Sequence, residues 1–359
     1  MDRKSYLLNK TLVIGIFLLF ICMSFTPIVA FDTDKKSSMP TSNGKTLYVG
    51  GTGEGNYTRI QRAINDASAG DTVFVFDEGS PYNENLYINN SINLIGENKD
   101  TTKVLGVKNW SVILVSADNV KISGFSVLNG GNMILVAGID VRSNYTLIED
   151  NYISTNRSSG ICVWSSSNSI KNNIIESNLL CGIYLLYSDS NTIEGNIISN
   201  NSIGIGAMNS NENTINDNEI LSNIYGLLFN GSNNNIISSN IISGGFLNGI
   251  LFYHSNSNTI EGNEIKSSNC GIELQSSRRN TIQQNNFLRN NRNAYFENCR
   301  NKWKNNYWNR PRLLPKKIRG AFSIPMPFPF QDIVFRLVNF DLRPALKPFI
   351  IGEQDSYDT

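Results

Sequence analysis

Histidine is all but missing from this 359-residue chain: His254 is its only copy. A lone imidazole has no second ring with which to build a metal cluster and no orienting partner as a general base, so it is expected on a solvated turn. Cysteine is scarce as well. Five copies without a CxxC pair exclude a zinc ribbon and a dithiol redox motif. Charge of one sign is also lacking. With 31 basic and 30 acidic residues and no basic tail, the net is +1, and no nucleic-acid partner is expected. Long helical periodicity is missing from the middle of the chain. What is abundant is asparagine: 53 copies, 33 of them between Asn144 and Asn293, a bias that demands a structural cause.

The first ten residues carry Arg3, Lys4 and Lys10, followed by the apolar run TLVIGIFLLFICMSF and then TPIVA. This pattern predicts an export signal over 1–30, cleaved after Ala30, then a flexible linker over 31–44. The other reading is an uncleaved anchor, since Leu12 to Ala30 is 19 residues, the only route by which this chain would meet a membrane. Cys22 follows Ile21, where a lipoprotein junction requires a small residue. Cleavage leaves a net charge of −1. An exported chain also suits the N-x-S/T glycosylation acceptors at Asn56, Asn89, Asn109, Asn144, Asn156, Asn200 and Asn230, although an Asn- and Ser-rich chain also makes such triplets by chance.

Self-similarity dictates the fold. The segments starting at 146, 168, 191, 213, 235, 258 and 280 are copies spaced 22 or 23 residues apart, as in NTIEGNII. Counting each start as zero, position +2 is always Ile, from Ile148 to Ile282. Position +5 is always Asn: Asn151, Asn173, Asn196, Asn218, Asn240, Asn263 and Asn285. A G-I-x-L-like step follows in each copy. Three short apolar segments per copy alternate with period two and cannot bury their faces alone. Stacked copies can. The expected fold is therefore all-β: a right-handed, single-stranded parallel β-helix of about nine coils over 45–300. The +5 asparagines would stack as an amide ladder, and the glycine at +13 or +14 would permit a tight corner, with φ > 0 as one option. A leucine-rich repeat also carries one Asn per unit, but these copies leave no room for a helix.

The ends differ. A capping helix is expected over 57–68, with a capping box from Thr58 to Gln61 and an apolar face of Ile60, Ala63, Ile64 and Ala67. Seven of the ten prolines fall between Pro311 and Pro348, so the repeats are expected to stop at Asn301 and give way to a Pro-rich C-terminal cap over 301–350. The tail 351–359 is expected to be disordered. The cysteines after the leader (Cys162, Cys181, Cys270, Cys299) sit at different offsets in their copies, which predicts free thiols.

NTIEGNIISNN, NTIEGNEI, the opening YVGGTGEGNYTRIQRAINDASAGDTVFV and the closing NNYW resemble the NosD-like parallel β-helix proteins of the pectin-lyase-like superfamily, over about 45–308. The resemblance implies the fold, not one activity. That superfamily includes polysaccharide lyases, epimerases, hydrolases, surface-layer proteins and a factor connected with copper-site assembly.

If the Ile and Leu of the G-I-x-L step face inward, the intervening residues face out. This outer face carries Trp164, Tyr184, Tyr253 and Tyr295, with Glu273 among them, a set suited to stacking on sugar rings. Cover by a loop or the cap is the competing account of these residues. Hydrolysis requires two nearby carboxylates, and Glu273 and Glu297 fall on different outward columns. Arg310 and Arg312 lie past the repeats, and Met39, Met133, Met208 and Met326 are too scattered for copper. No catalytic set, metal or cofactor is expected. The leading expectation is a secreted or cell-surface protein with a structural, adhesive or glycan-binding role, its partner an envelope polysaccharide. A polysaccharide-modifying enzyme and an accessory factor for a membrane or metalloenzyme complex are the alternatives.

Overall fold

The computed structural model describes residues 44–351, apart from 108, 132–135 and 325–332. The expected signal, linker and terminal tail lie outside the described residues. The rest is the all-β parallel β-helix that the repeats predict. Each copy makes one turn with three short strands, such as Thr192–Glu194, Ile197–Ser199 and Ile203–Met208. Strands of successive turns pair in parallel and form three walls. The first wall runs from Thr46–Val49 to Lys302–Lys304, and the solenoid has about twelve turns rather than nine. Strict spacing finds the seven copies with an Asn corner, and looser matching upstream finds INLIGE (92–97) and VKISGFSV (120–127), the latter with Phe125 at the Asn position; both are turns of the first wall. Spacing misses the early turns Thr46–Val49 and Thr72–Val75, and it stops one turn short at the end. There Trp303 takes the Ile282 position and Trp308 the Phe287 position, so WKNNYW is a repeat with tryptophans where aliphatics stood.

Register is fixed by the interior. Ile148, Ile170, Ile193, Ile215, Ile237, Ile260 and Ile282 are successive partners on the first wall, and all are buried. A one-residue slip would turn every one of them to solvent. Each such burial contributes roughly 1.5–3 kcal/mol. Toward the C-terminal end the interior becomes aromatic on the other two walls, with Phe229 on Phe252 (5.1 Å) in the third and Phe287 on Trp308 (4.5 Å) in the second.

The +5 asparagines form the expected ladder. Asn196 is typical: its Oδ1 accepts from the backbone N–H (2.9 Å) and Nδ2 (3.0 Å) of Asn173. Its own Nδ2 donates to Ile170 O (2.9 Å), Glu194 O (3.0 Å) and Asn218 Oδ1 (3.0 Å). The ladder starts under Phe125, whose N–H donates to Asn151 Oδ1 (3.1 Å), and continues through Asn285 to Asn306. The position-zero asparagines make a second ladder, from Asn168 through Asn191, Asn213, Asn235, Asn258 and Asn280 to Asn301. Asn178, Asn201 and Asn223 make a third, shorter one. Ladder asparagines are all buried, whereas none of the seven glycosylation-acceptor asparagines is.

The corner glycines act differently from the φ > 0 option. Gly182 and Gly204 keep ordinary φ; a Cβ on Gly182 would lie 2.5 Å from Ile198 Cγ2 and 2.8 Å from Gly204 O. Lack of space selects glycine there. Left-handed backbone falls instead on the residue before each +5 ladder asparagine, as in Asn172, Gly195, Asp217 and Gly262.

At the N-terminal end a helix, α1, spans Ile60–Asp66 and buries Ile60, Ala63 and Ile64. The expected capping box does not form. Arg59 is the N-cap and makes no side-chain bond; the Glu84 carboxylate accepts from Ile60 N (2.9 Å) and Gln61 N (3.1 Å) instead. At the other end, within the region expected to be a Pro-rich cap, Lys316–Ile324 and Ile333–Asp341 form an antiparallel hairpin that sequence reasoning did not name. It extends the third wall by pairing Gly320 with Phe296 and Ala321 with Glu297. The cysteines Cys162, Cys181, Cys270 and Cys299 are unpaired and buried.

Candidate functional site

The outer face of the third wall has two outward columns, set by strand register. One runs Asp140, Cys162, Tyr184, Gly206, Leu228, Leu251, Glu273, Tyr295. In the other, Leu186, Met208, Asn230, Tyr253, Gln275 and Glu297 are successive partners. The structure does not unite the sequence-predicted aromatics in one surface. Tyr184 is 8% exposed and offers no open ring face; its neighbours Leu186, Met208, Leu228 and Leu251 are buried. Trp164 stands at one end, and Tyr253, Glu273 and Tyr295 stand at the other.

At the first end Asp140 is buried, and the exposed Arg142 donates to it (3.0 Å). Burial pushes the Asp140 carboxyl up, against the opposing pull of Arg142 and Ser111. The Trp164 indole N–H lies near enough to favour the Asp140 charge yet closes no hydrogen bond.

At the other end, three consecutive turns place Tyr253, Glu273, Gln275, Arg292 and Tyr295 side by side. Both Glu273 oxygens are engaged, by Asn248 Nδ2 (2.8 Å) and Gln275 Nε2 (2.7 Å). Glu297 is held elsewhere, by Ser323 Oγ (2.7 Å), so the two glutamates act on separate partners. The Arg292 guanidinium lies 4.8 Å over the Tyr295 ring. Between this patch and the hairpin is a groove of about 1030 Å³ lined by Arg292, Tyr295, Lys316, Lys317, Arg319 and Arg336. No carboxylate lines it. Burial, then Arg312, Arg310 and Arg319, push the Lys316 ammonium down. Sequence reasoning missed this basic groove because all its cations but Arg292 lie beyond the repeats and reach the wall only through the hairpin. His254 is an exposed turn residue with left-handed backbone, its ring 4.2 Å from that of Tyr253. A second groove of about 1070 Å³ follows the ladder corner past Glu194, Asp217, Glu219 and Glu261.

Burial pushes all four thiols up, Cys181 and Cys270 to about 12. Below an unfolded-state value of ~8.5 each thiol is neutral in both states and its contribution to stability is complete. Above it the unfolded chain ionises while the native thiol does not, so stability falls as pH rises from ~8.5 toward 12. The melting temperature is therefore expected to drop between pH 8 and 10.5, less steeply in Cys181→Ala/Cys270→Ala. A flat profile, or one the double variant leaves unchanged, would refute this. Among the described residues no group of three or more His, Cys, Asp or Glu could hold a metal ion, and no helix is long and apolar enough to cross a membrane.

No curated protein matches this sequence. Among solved structures, the chain is similar to the A-module of Azotobacter vinelandii mannuronan C-5 epimerase AlgE4, at 14% identity and a TM-score of 0.55, over 68% of this chain and 83% of that one. It is similarly related to the AlgE6 A-module, at 17% identity and a TM-score of 0.52, over 68% and 74%. At such identities the likeness is one of fold, the right-handed parallel β-helix of pectin-lyase-like proteins. Residues 64–242 and 142–322 both match the family described as "Periplasmic copper-binding protein (NosD)", and with that the chain belongs to the NosD family.

Proposed function

We propose that this protein is exported and holds an acidic polysaccharide in the groove between the last turns of the third wall and the hairpin, without cleaving it. The observation that carries the reading is the lining: a half-exposed tyrosine ring for a sugar face, Arg292 beside it, and further cations without a carboxylate among them. The engaged oxygens of Glu273 suit a binding role better than nucleophilic or acid–base work. The basic leader with its apolar run, and a family described as periplasmic, support export. Copper, which the family description carries, does not fit these residues. The described thiols are held protonated by burial, and the single histidine packs on Tyr253.

Polyuronate binding measured by calorimetry is expected to weaken at least tenfold in Tyr295→Ala and in Arg292→Ala, and with rising salt. Equal affinity for a neutral glucan, or wild-type affinity in both variants, would sink the reading. One observation favours an enzyme instead: Asp140 is a buried carboxyl, pushed toward protonation, in contact with an exposed guanidinium. Unsaturated uronate product that disappears in Asp140→Asn would select that alternative.

A further inference from the structure

We propose that the C-terminal end of the solenoid docks on the surface of an anionic lipid bilayer, through the hairpin and the chain that flanks it. Charge is the first argument. Residues 310–350 hold eight basic and two acidic residues, whereas the whole chain nets only +1. One of those acids, Asp341, is fully buried and spends its carboxylate on Asn305, Asn306 and Trp308. The surface of this end is therefore strongly cationic, as an anionic membrane requires.

Exposed apolar side chains are the second argument. Of the twenty large apolar residues exposed among the described residues, twelve lie between 313 and 350. Leu313 (88% exposed) and Leu314 (78%) are flanked by Arg312 and Lys316, an interleaving of aliphatic and basic residues suited to a membrane interface. The hairpin selects the occupant. Phe322 and Phe335 sit directly opposite one another on one face, 6.4 Å apart, while Val334 and Val338 project from the other, and all four are exposed. Val334 and Val338 line the groove toward the third wall, so the Phe322–Phe335 face and the Leu313–Leu314 segment, flanked by cations, are what an anionic headgroup layer would take up. Among the described residues the strand Ile333–Asp341 pairs with the solenoid only at Asp341, so most of its outer edge carries no strand partner there. An edge without a strand partner stays at headgroup depth, where water still reaches, rather than in the hydrocarbon.

The test uses the full chain and vesicles of phosphatidylcholine alone or with 30% phosphatidylglycerol. The leader segment is apolar too, so the readout is local: Leu314→Cys in a Cys22→Ser background, labelled with an environment-sensitive dye while the four buried thiols stay folded away. The dye is expected to shift to the blue with anionic vesicles and not with neutral ones, and the same dye at Asn200→Cys is expected to stay unchanged. Arg310→Glu/Arg343→Glu/Lys347→Glu, with circular dichroism to verify its fold, should weaken the partitioning roughly a hundredfold. An unshifted dye with anionic vesicles overturns the proposal. So does a shift that tracks protein concentration without lipid, which would indicate a second copy. A shift obtained with membrane-protein extracts but never with pure lipid would also overturn it, in favour of a protein partner.

Discussion

Asn196→Ala is expected to destabilise the protein by about 4 kcal/mol, far beyond the loss of one average hydrogen bond. The side chain is fully buried and makes five polar contacts. Truncation leaves Asn173 N–H and the Ile170 carbonyl without this partner, and each orphaned buried group costs about 1–3 kcal/mol, while Asn173 Nδ2 keeps Ile148 O and Lys171 O. The loss should be local as well as large. Each turn contacts mainly its neighbours, so hydrogen-exchange protection is expected to collapse within a turn or two of residue 196 and persist at both ends. Asn89→Ala, at an exposed position with ordinary φ, is the control and should stay within about 0.5 kcal/mol of the parent. Equal urea midpoints for the two variants would show that the ladder carries no energetic weight.

The same contrast shows how far the sequence could be read. Period, wall register and the +5 ladder were legible because each asks for one residue type at one spacing: Ile for the interior, Asn for the corner. The second ladder was equally visible in the leading Asn of NTIEGN, where Asn191 donates to Asn213 as Asn196 does to Asn218. Turns whose corners lack Asn were legible only by looser matching, as in VKISGFSV (120–127), where Phe125 fills the Asn place without an amide. Tryptophan at 303 and 308 hid the last turn by replacing Ile and Phe with a larger side chain of the same polarity. The third-wall aromatics were assigned to the right face but not to one surface. Alternation tells inside from outside, yet it does not say which outward residues the rest of the molecule covers, as it does Tyr184. Nor does a sequence rich in Pro and Phe announce a hairpin whose nine paired positions fall between prolines, from Lys316–Asp341 to Ile324–Ile333. The basic groove depends on that hairpin and was lost with it.

Asp341 is where the ladder and the hairpin meet, and its replacement should be the most damaging change in the C-terminal region. An amide stack repeats the same polarity at every step, so its last member presents donors with nothing beyond. Asn306 is that member. Its N–H (2.8 Å) and Nδ2 (3.1 Å) both donate to Asp341 Oδ2, which also receives the Trp308 indole N–H (3.1 Å), while Asn305 N–H donates to Oδ1 (3.0 Å). Only an acceptor with two free oxygens satisfies all four. Asp341→Ala takes this acceptor from Asn305 N–H, Asn306 N–H and the Trp308 indole, while Asn306 Nδ2 keeps Ile282 O and Lys304 O, with an expected cost of about 4 kcal/mol. Asp341→Asn preserves shape and volume yet should still cost about 2–3 kcal/mol, since its NH2 group must face N–H donors on one side. The hairpin holds the solenoid through this residue, the Gly320–Ala321 ladder and a few side-chain bonds from Asn298 and Asn339. Both variants should therefore expose the hairpin to limited proteolysis between 309 and 345 before the turns upstream melt. Cleavage no faster than in the parent, with an unchanged urea midpoint for Asp341→Asn, would mean that the stack ends without needing a carboxylate, and that the hairpin is held by its strand pairing alone.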